Sequence, residues 1–291
     1  MSFYDTKLSN CVENAFQALA LDERRSSFCP ALWEKMPNNT TRLRQVWFPG
    51  VHANVGGGYS DQELANLTLA WMMSQVRPFL DMDLDYLIDQ QDDTDRYYER
   101  SNQRIRPWSF GKIYDSMAGI YALGGSTIRA PGRSFTVDPA TGRETDEPLR
   151  DTCEYIHPSV RTRLKLHGPG VEDKSSYVCR ALADWKLIVD YPENSEFVDP
   201  ADTDHDDNDE KRSKRAPPRT LDVFWKLRTQ QTNVTTRILP ESPLWPLERE
   251  LLELDPDVEA VALNPGATTK LRSSRGGSRR TYSSKGSRSR R

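Results

Sequence analysis

The chain has 291 residues, 36% of them apolar, and a mean hydropathy of −0.74, long enough for one large domain but too polar to be compact throughout. Its net charge of −3 is unevenly spread: residues 266–291 hold nine Lys or Arg and no acid, which leaves a body of net −12 in residues 1–265. That balance excludes an electrostatic case for duplex nucleic acid on the main surface. The lack of an apolar N-terminal run or of 18 consecutive apolar residues argues against secretion and a transmembrane helix, so a cytoplasmic location is expected.

Cys11, Cys29, Cys153 and Cys179 lie far apart with no C-x-x-C spacing. They read as reduced core thiols rather than a disulfide framework or a zinc site. The Asn-x-Thr triplets at Asn38, Asn66 and Asn233 then read as chance.

In chain order, Val12, Ala15, Phe16 and Leu19 recur at i, i+3, i+4 and i+7. With Ser9 as a cap, this spacing predicts a helix to about Leu21. Asp22-Glu23-Arg24-Arg25 reads as a polar turn. Arg44–Phe48 reads as a short buried strand, followed by a glycine-rich loop from Pro49 to Tyr59. Ser60-Asp61-Gln62-Glu63 fits a capping box that opens a helix. Leu64, Leu67, Trp71, Met72, Val76 and Phe79 form its apolar stripe, and Pro78 marks its end.

Residues 81–106 read as a polar helical excursion. Phe110, Ile113, Tyr114, Met117, Ile120 and Tyr121 predict another amphipathic helix, stopped by Gly124-Gly125. Ser134–Thr145 reads as a hairpin, and Glu154–Arg161 leads into a short helix. Ser176–Val189 fits either strand or helix. The run Asp199–Pro218, acidic and then basic, reads as a disordered linker. Phe224–Leu227 and Leu244–Leu254 form an accessory unit or dock back, and the Arg/Ser/Gly tail is expected to be disordered. The expected division is 1–198, 199–218, 219–265 and 266–291.

His52 is the leading candidate for chemistry. Imidazole titrates near neutral pH and can take a proton from a hydroxyl and return it to a leaving group. The competing reading is a histidine packed in a turn. Gly56-Gly57-Gly58 either lets backbone amides approach an anion or simply turns the chain; without G-K-[ST] it is not a P-loop. A G-x-S-x-G elbow is absent. Gly124-Gly125-Ser126-Thr127-Ile128 and Gly276-Gly277-Ser278-Arg279-Arg280 both fail at the final glycine. His157 precedes Pro158 and reads as a turn-packing residue. His167 lies in a glycine loop, and His205 sits in an acidic run without calcium-loop spacing. No metal or cofactor site is predicted. The basic tail, with Tyr282 as its one stacking platform, carries the sole nucleic-acid signal.

Two runs, Val12-Glu13-Asn14-Ala15-Phe16-Gln17-Ala18-Leu19-Ala20-Leu21-Asp22-Glu23-Arg24-Arg25 and Val46-Trp47-Phe48-Pro49-Gly50-Val51-His52-Ala53-Asn54-Val55-Gly56-Gly57-Gly58-Tyr59, resemble the α/β-hydrolase family that includes the phospholipase effectors of type VI secretion, in its fungal-type form. The likeness is strong for residues 3–80, extends to about 190 through Ile156-His157-Pro158-Ser159-Val160-Arg161, and is absent afterwards. It implies an α/β fold, here an incomplete, helix-rich α/β-hydrolase-like domain, and a lipid or ester substrate. The family's G-F-S-R-G-A serine and its acid lie upstream of this segment, while its triad histidine maps onto His52. Asp5 follows the family's acid, so that role does not carry over to it. The implied protein is a fragment or degenerate copy of a serine hydrolase that keeps the base without its serine or orienting aspartate. The alternative is a non-enzymatic protein that recruits anionic partners through its basic tail.

Overall fold

The computed structural model describes residues 6–119, 124–138, 140–190, 222–228 and 236–267. The linker over 199–218, His205, Asp5 and the basic tail beyond residue 267 lie outside the described residues. Mixed helices and strands place the fold in the α/β range. Its centre is a three-stranded parallel sheet in the order β1 (Asn14–Ala20), β2 (Arg42–Phe48), β5 (Glu154–Ile156).

β1 corrects the expected helix over residues 9–21. It pairs in register with β2, Ala18 beside Val46 and Leu19 beside Trp47. Phe16, Ala18 and Ala20 pack with Val46 and Phe48 on one face, while Leu19 joins Trp47 on the other. A strand covered on both faces is apolar at consecutive positions, so a helical spacing can be picked out of it as easily as an alternating one. Tertiary pairing outweighs the helix preference of its Ala and Leu residues. β2 is the expected strand. Its one central polar side chain, Gln45, donates to the carbonyls of Trp33 (2.8 Å) and Thr152 (2.6 Å) and accepts from the Trp33 amide (2.9 Å), which offsets the cost of burying an amide.

The loop read over Pro49–Tyr59 contains a five-residue helix, α1 (His52–Gly56), before α2 (Glu63–Val76). The capping box at Ser60 does not form. Asp61 takes the Glu63 amide at 3.3 Å, and the Glu63 carboxylate turns to Gln91 at 3.0 Å. Leu64, Leu67 and Trp71 are buried as expected, Met72 is half-buried, and Phe79 lies past the helix end, exposed. α3 (Asp85–Arg100) follows.

The helix expected over 110–121 is also corrected; residues 110–118 are irregular and Ile120 and Tyr121 are not described. Phe110 and Ile113 are buried, but Ile113 bridges Val171 in extended form. Gly111 presses on the start of α2 so closely that a Cβ there would lie 2.8 Å from Glu63 Cβ. The expected hairpin is present as β3 (Phe135–Val137) and β4 (Glu144–Pro148), and α4 (Pro158–Lys165) follows β5. The segment left as strand or helix contains a short 3-10 turn at Arg180–Leu182 and then β6 (Trp185–Asp190).

β6, β7 (Asp222–Leu227) and β8 (Ile238–Pro240) form an antiparallel sheet whose Trp185, Trp225 and Leu239 cover the Leu19/Trp47 face. The opposite face lies under α2, α5 (Pro246–Leu252) and α6 (Pro256–Leu263). Residues 238–263 therefore dock back. Arg161 on α4 donates to the Val261 and Ala262 carbonyls at 2.9 Å each, and Asp255 accepts the Trp108 amide at 2.7 Å. His157 Nε2 donates to Glu248 Oε1 at 2.6 Å, and the second Glu248 oxygen accepts the Trp245 amide at 2.9 Å. Cys179 is buried, but Cys11 and Cys29 are exposed and Cys153 is half-buried, so the four thiols are free without all being core residues.

Because His157 and Glu248 are both fully buried, Glu248→Ala orphans two donors at a cost of about 1–3 kcal/mol each. The expected result is a lower urea midpoint with an unchanged slope; an unchanged midpoint would mean that α5 does not depend on this clasp.

Candidate functional site

Parallel strands end on one side of their sheet, where ligands of open α/β sheets are bound. Here that side collects Asp22 and Glu23 after β1, Gly50 and His52 after β2, and His157 after β5. The β1–β2 pairing runs past the strand ends. The Leu21 amide donates to the Phe48 carbonyl (3.0 Å), the Asp22 amide to the Gly50 carbonyl (2.9 Å), and the Gly50 amide to Asp22 Oδ2 (2.6 Å). Gly50 has φ +108°, and a Cβ there would sit 2.6 Å from Asn54 Cβ, so only glycine turns the chain here. Asn54 closes the turn by accepting the Val51 amide (3.2 Å) and donating to the Lys112 carbonyl (2.8 Å).

His52 opens α1, four residues after β2, and its side of the chain is exposed. Its amide donates to Glu23 Oε2 at 3.1 Å, and its ring meets Phe28 edge-on with centroids 4.9 Å apart. Among the described residues neither ring nitrogen has a hydrogen-bond partner. Glu23 is buried and paired with Arg25, whose guanidinium lies 3.7 Å over the Phe28 ring. Burial pushes the Glu23 carboxyl up, but the Arg25 side chain and amide, the His52 amide and Ser116 outweigh it and hold the carboxyl at about 2. The sequence reading located His52 but passed over Asp22 and Glu23 as a polar turn. Had residues 14–20 been read as a strand parallel to 42–48, that acidic pair would have fallen beside Gly50 and His52.

Gly57 and Gly58 have φ of +83° and +120°, which fits the turning role of the glycine run. Tyr59 after it stacks on Tyr114 at 3.8 Å, and Lys112 lies 4.8 Å over Tyr114. His157 is the second histidine at this sheet edge, but it is enclosed. Its Nδ1 accepts from the Ser159 amide (3.2 Å) and lies 2.7 Å from Ser159 Oγ, while Nε2 faces Glu248. Ser, His and Glu are thus aligned as in a triad, yet all three are fully buried, where no substrate reaches the serine. The group caps α4 and holds α5. His167 has φ +54° just past α4, a helix-ending position. No cluster of His, Cys, Asp and Glu able to hold a metal ion occurs among the described residues, and none of their helices is long and apolar enough to cross a membrane.

Burial raises the Asp22 carboxyl from an ordinary 3.8 to about 6, against the lowering effects of Gly50, Tyr177 and Arg163. The native chain therefore holds that proton more tightly than the unfolded chain. Its contribution to stability falls as pH rises from 3.8 to about 6. Glu23, held below its ordinary 4.5, acts in the opposite sense: its contribution is full above 4.5 and is lost as pH falls toward 2. Asp22→Asn should remove the decline across the upper window, and Glu23→Gln the loss across the lower one, in urea titrations at stepped pH. Identical pH profiles for wild type and both variants would refute the assignment.

Residues 1–75 match the family model described as the type VI secretion phospholipase effector Tle1-like catalytic domain. No curated protein and no solved structure matches the chain. The matched residues hold β1, β2, the Asp22–Gly50 lock, His52 and most of α2, so this segment, with the exposed histidine at its sheet edge, is related to that catalytic domain.

Proposed function

We propose that the chain carries the histidine-bearing, C-terminal part of a fungal-type serine hydrolase acting on ester or phospholipid bonds, with His52 in the position of the general base. The observation that carries this reading is an exposed histidine on a backbone locked at the carboxyl edge of a parallel sheet, inside the segment related to a phospholipase catalytic domain. A base in that role takes the proton of a serine hydroxyl as the oxygen attacks the ester carbonyl, then returns it to the departing alcohol. It needs a hydroxyl within about 3 Å on one ring nitrogen and a carboxylate on the other. Neither partner is present on His52 among the described residues, and the 291 residues contain no G-x-S-x-G. The loss of a nucleophile costs on the order of a millionfold in rate. The chain as given is therefore proposed to be inactive by itself, a degenerate or partial hydrolase.

Two measurements test this. The purified chain should hydrolyse short-chain esters and phospholipids no faster than its His52→Ala variant, and a fluorophosphonate probe should label no serine. Joined behind the elbow-bearing segment of a Tle1-like phospholipase, the chain should gain turnover that disappears with His52→Ala. Stoichiometric labelling of a serine in the unfused chain, or an equally active His52→Ala chimera, would refute the proposal.

A further inference from the structure

Beside His52 three arginines gather on an otherwise acidic body. Residues 24–28 run antiparallel to 125–127 through the Arg25–Ser126 bridge, with the Ser26 amide on the Gly125 carbonyl (3.3 Å) and the Thr127 amide on the Arg24 carbonyl (2.8 Å). This ridge carries Arg24 and Arg25, and the next turn supplies Arg129. Arg25 is neutralised by Glu23. Arg24 and Arg129 have no carboxylate partner among the described residues. Arg129, 4% exposed, is held by the Arg25 and Phe28 carbonyls (3.0 and 2.8 Å) and by Cys29 Sγ (2.9 Å). Arg24 has one side-chain hydrogen bond, from Nη2 to Ser126 Oγ at 3.3 Å, and its Nε is shut off from solvent without a partner.

Hydroxyls complete the arrangement. Ser26 Oγ and Thr127 Oγ1 lie 3.0 Å apart. Two hydroxyls that share one hydrogen bond between them keep one proton to donate outward. Gly125, at φ +83°, leaves room for this pair, since a Cβ there would stand 3.1 Å from Ser26 Oγ. Partly desolvated guanidinium groups without counter-ions are costly, and a guanidinium with spare donors beside hydroxyl donors matches phosphate oxygens in charge and geometry.

We infer that Arg24, Ser26, Ser126 and Thr127 form a binding subsite for a phosphate group, bordering His52 across Phe28. The hydrolase reading bears only on what carries that phosphate: in a phospholipid it is the headgroup, and otherwise it is a free phosphate ion.

The test follows the backbone amide signals of Arg24, Ser26 and Thr127 by NMR in the full chain. Inorganic phosphate is titrated first. A short-chain phosphatidylglycerol below its micelle concentration is titrated separately, with the matching phosphate-free diacylglycerol as control. Phosphate-bearing probes should move the Arg24 signal and the control should not. Tighter binding of the lipid assigns the site to a headgroup, and equal or tighter binding of inorganic phosphate assigns it to the free ion. Arg24→Gln should weaken binding about tenfold, Arg24→Lys should retain most of it, and Thr127→Val, on an exposed residue, gives a second reading in a chain whose amide spectrum reports folding. Binding of inorganic phosphate involves no ester bond, so an absent catalytic role for His52 leaves the subsite standing. No shift with either phosphate probe, or equal affinity in Arg24→Gln and Thr127→Val, would overturn it.

Discussion

The pairing of β1 with β2, carried past the strand ends by Asp22 and Gly50, is the constraint on which the rest of this molecule depends. Two reciprocal hydrogen bonds, one from each backbone, lock the turn after β2 against the turn after β1. With the backbone held there, the next residues have little freedom: Val51 and Asn54 close α1, and His52 meets Glu23 through its amide. The lock also explains the unusual Asp22 carboxyl. The residue is half-buried, its carboxylate turned against Gly50 and Tyr177 where its negative charge is poorly solvated, and Arg163 compensates only in part.

The two histidines at this edge differ in opposite senses in burial and in hydrogen-bond geometry. His157 has the better alignment, with a serine and a glutamate at hydrogen-bond distance on its two ring nitrogens. It is nevertheless sealed between Phe48 and Trp108 and acts as a clasp between the sheet and α5. His52 has no such partners among the described residues but is open to solvent. A general base needs both features, and this chain divides them between two residues.

Buried arginines play a similar clasping role. Arg161 and Arg163, both on α4, spend their donors on carbonyls of α6, of the 109–111 segment and of Pro169. Arg161 has Glu241 as its partner, whereas burial draws Arg163 down to about 10. These groups tie irregular segments to a regular helix, because carbonyls outside strands and helices must find donors when buried. They show why residues 109–111 keep an irregular path although Phe110 and Ile113 sit at helical spacing.

The sequence by itself determined the parts whose signal is local. β2, the stripe of α2, the β3–β4 hairpin and the start of α4 each carry their own pattern of apolar spacing, turn residues or proline. His52 was legible because an apolar strand and a glycine run bracket it. Tertiary structure decided the remainder. β1 is a strand because β2 and β5 build a sheet covered on both faces, a condition that its own seven residues do not encode. Asp22 and Glu23 became part of the site through register across a span of more than twenty residues, since Ala20 pairs with Phe48. The burial of His157, the docking of α5 and the lack of a carboxylate partner for Arg24 and Arg129 among the described residues likewise depend on distant segments. Spacing along a chain reports which face a side chain occupies, while charge compensation and enclosure are set by what packs against that face.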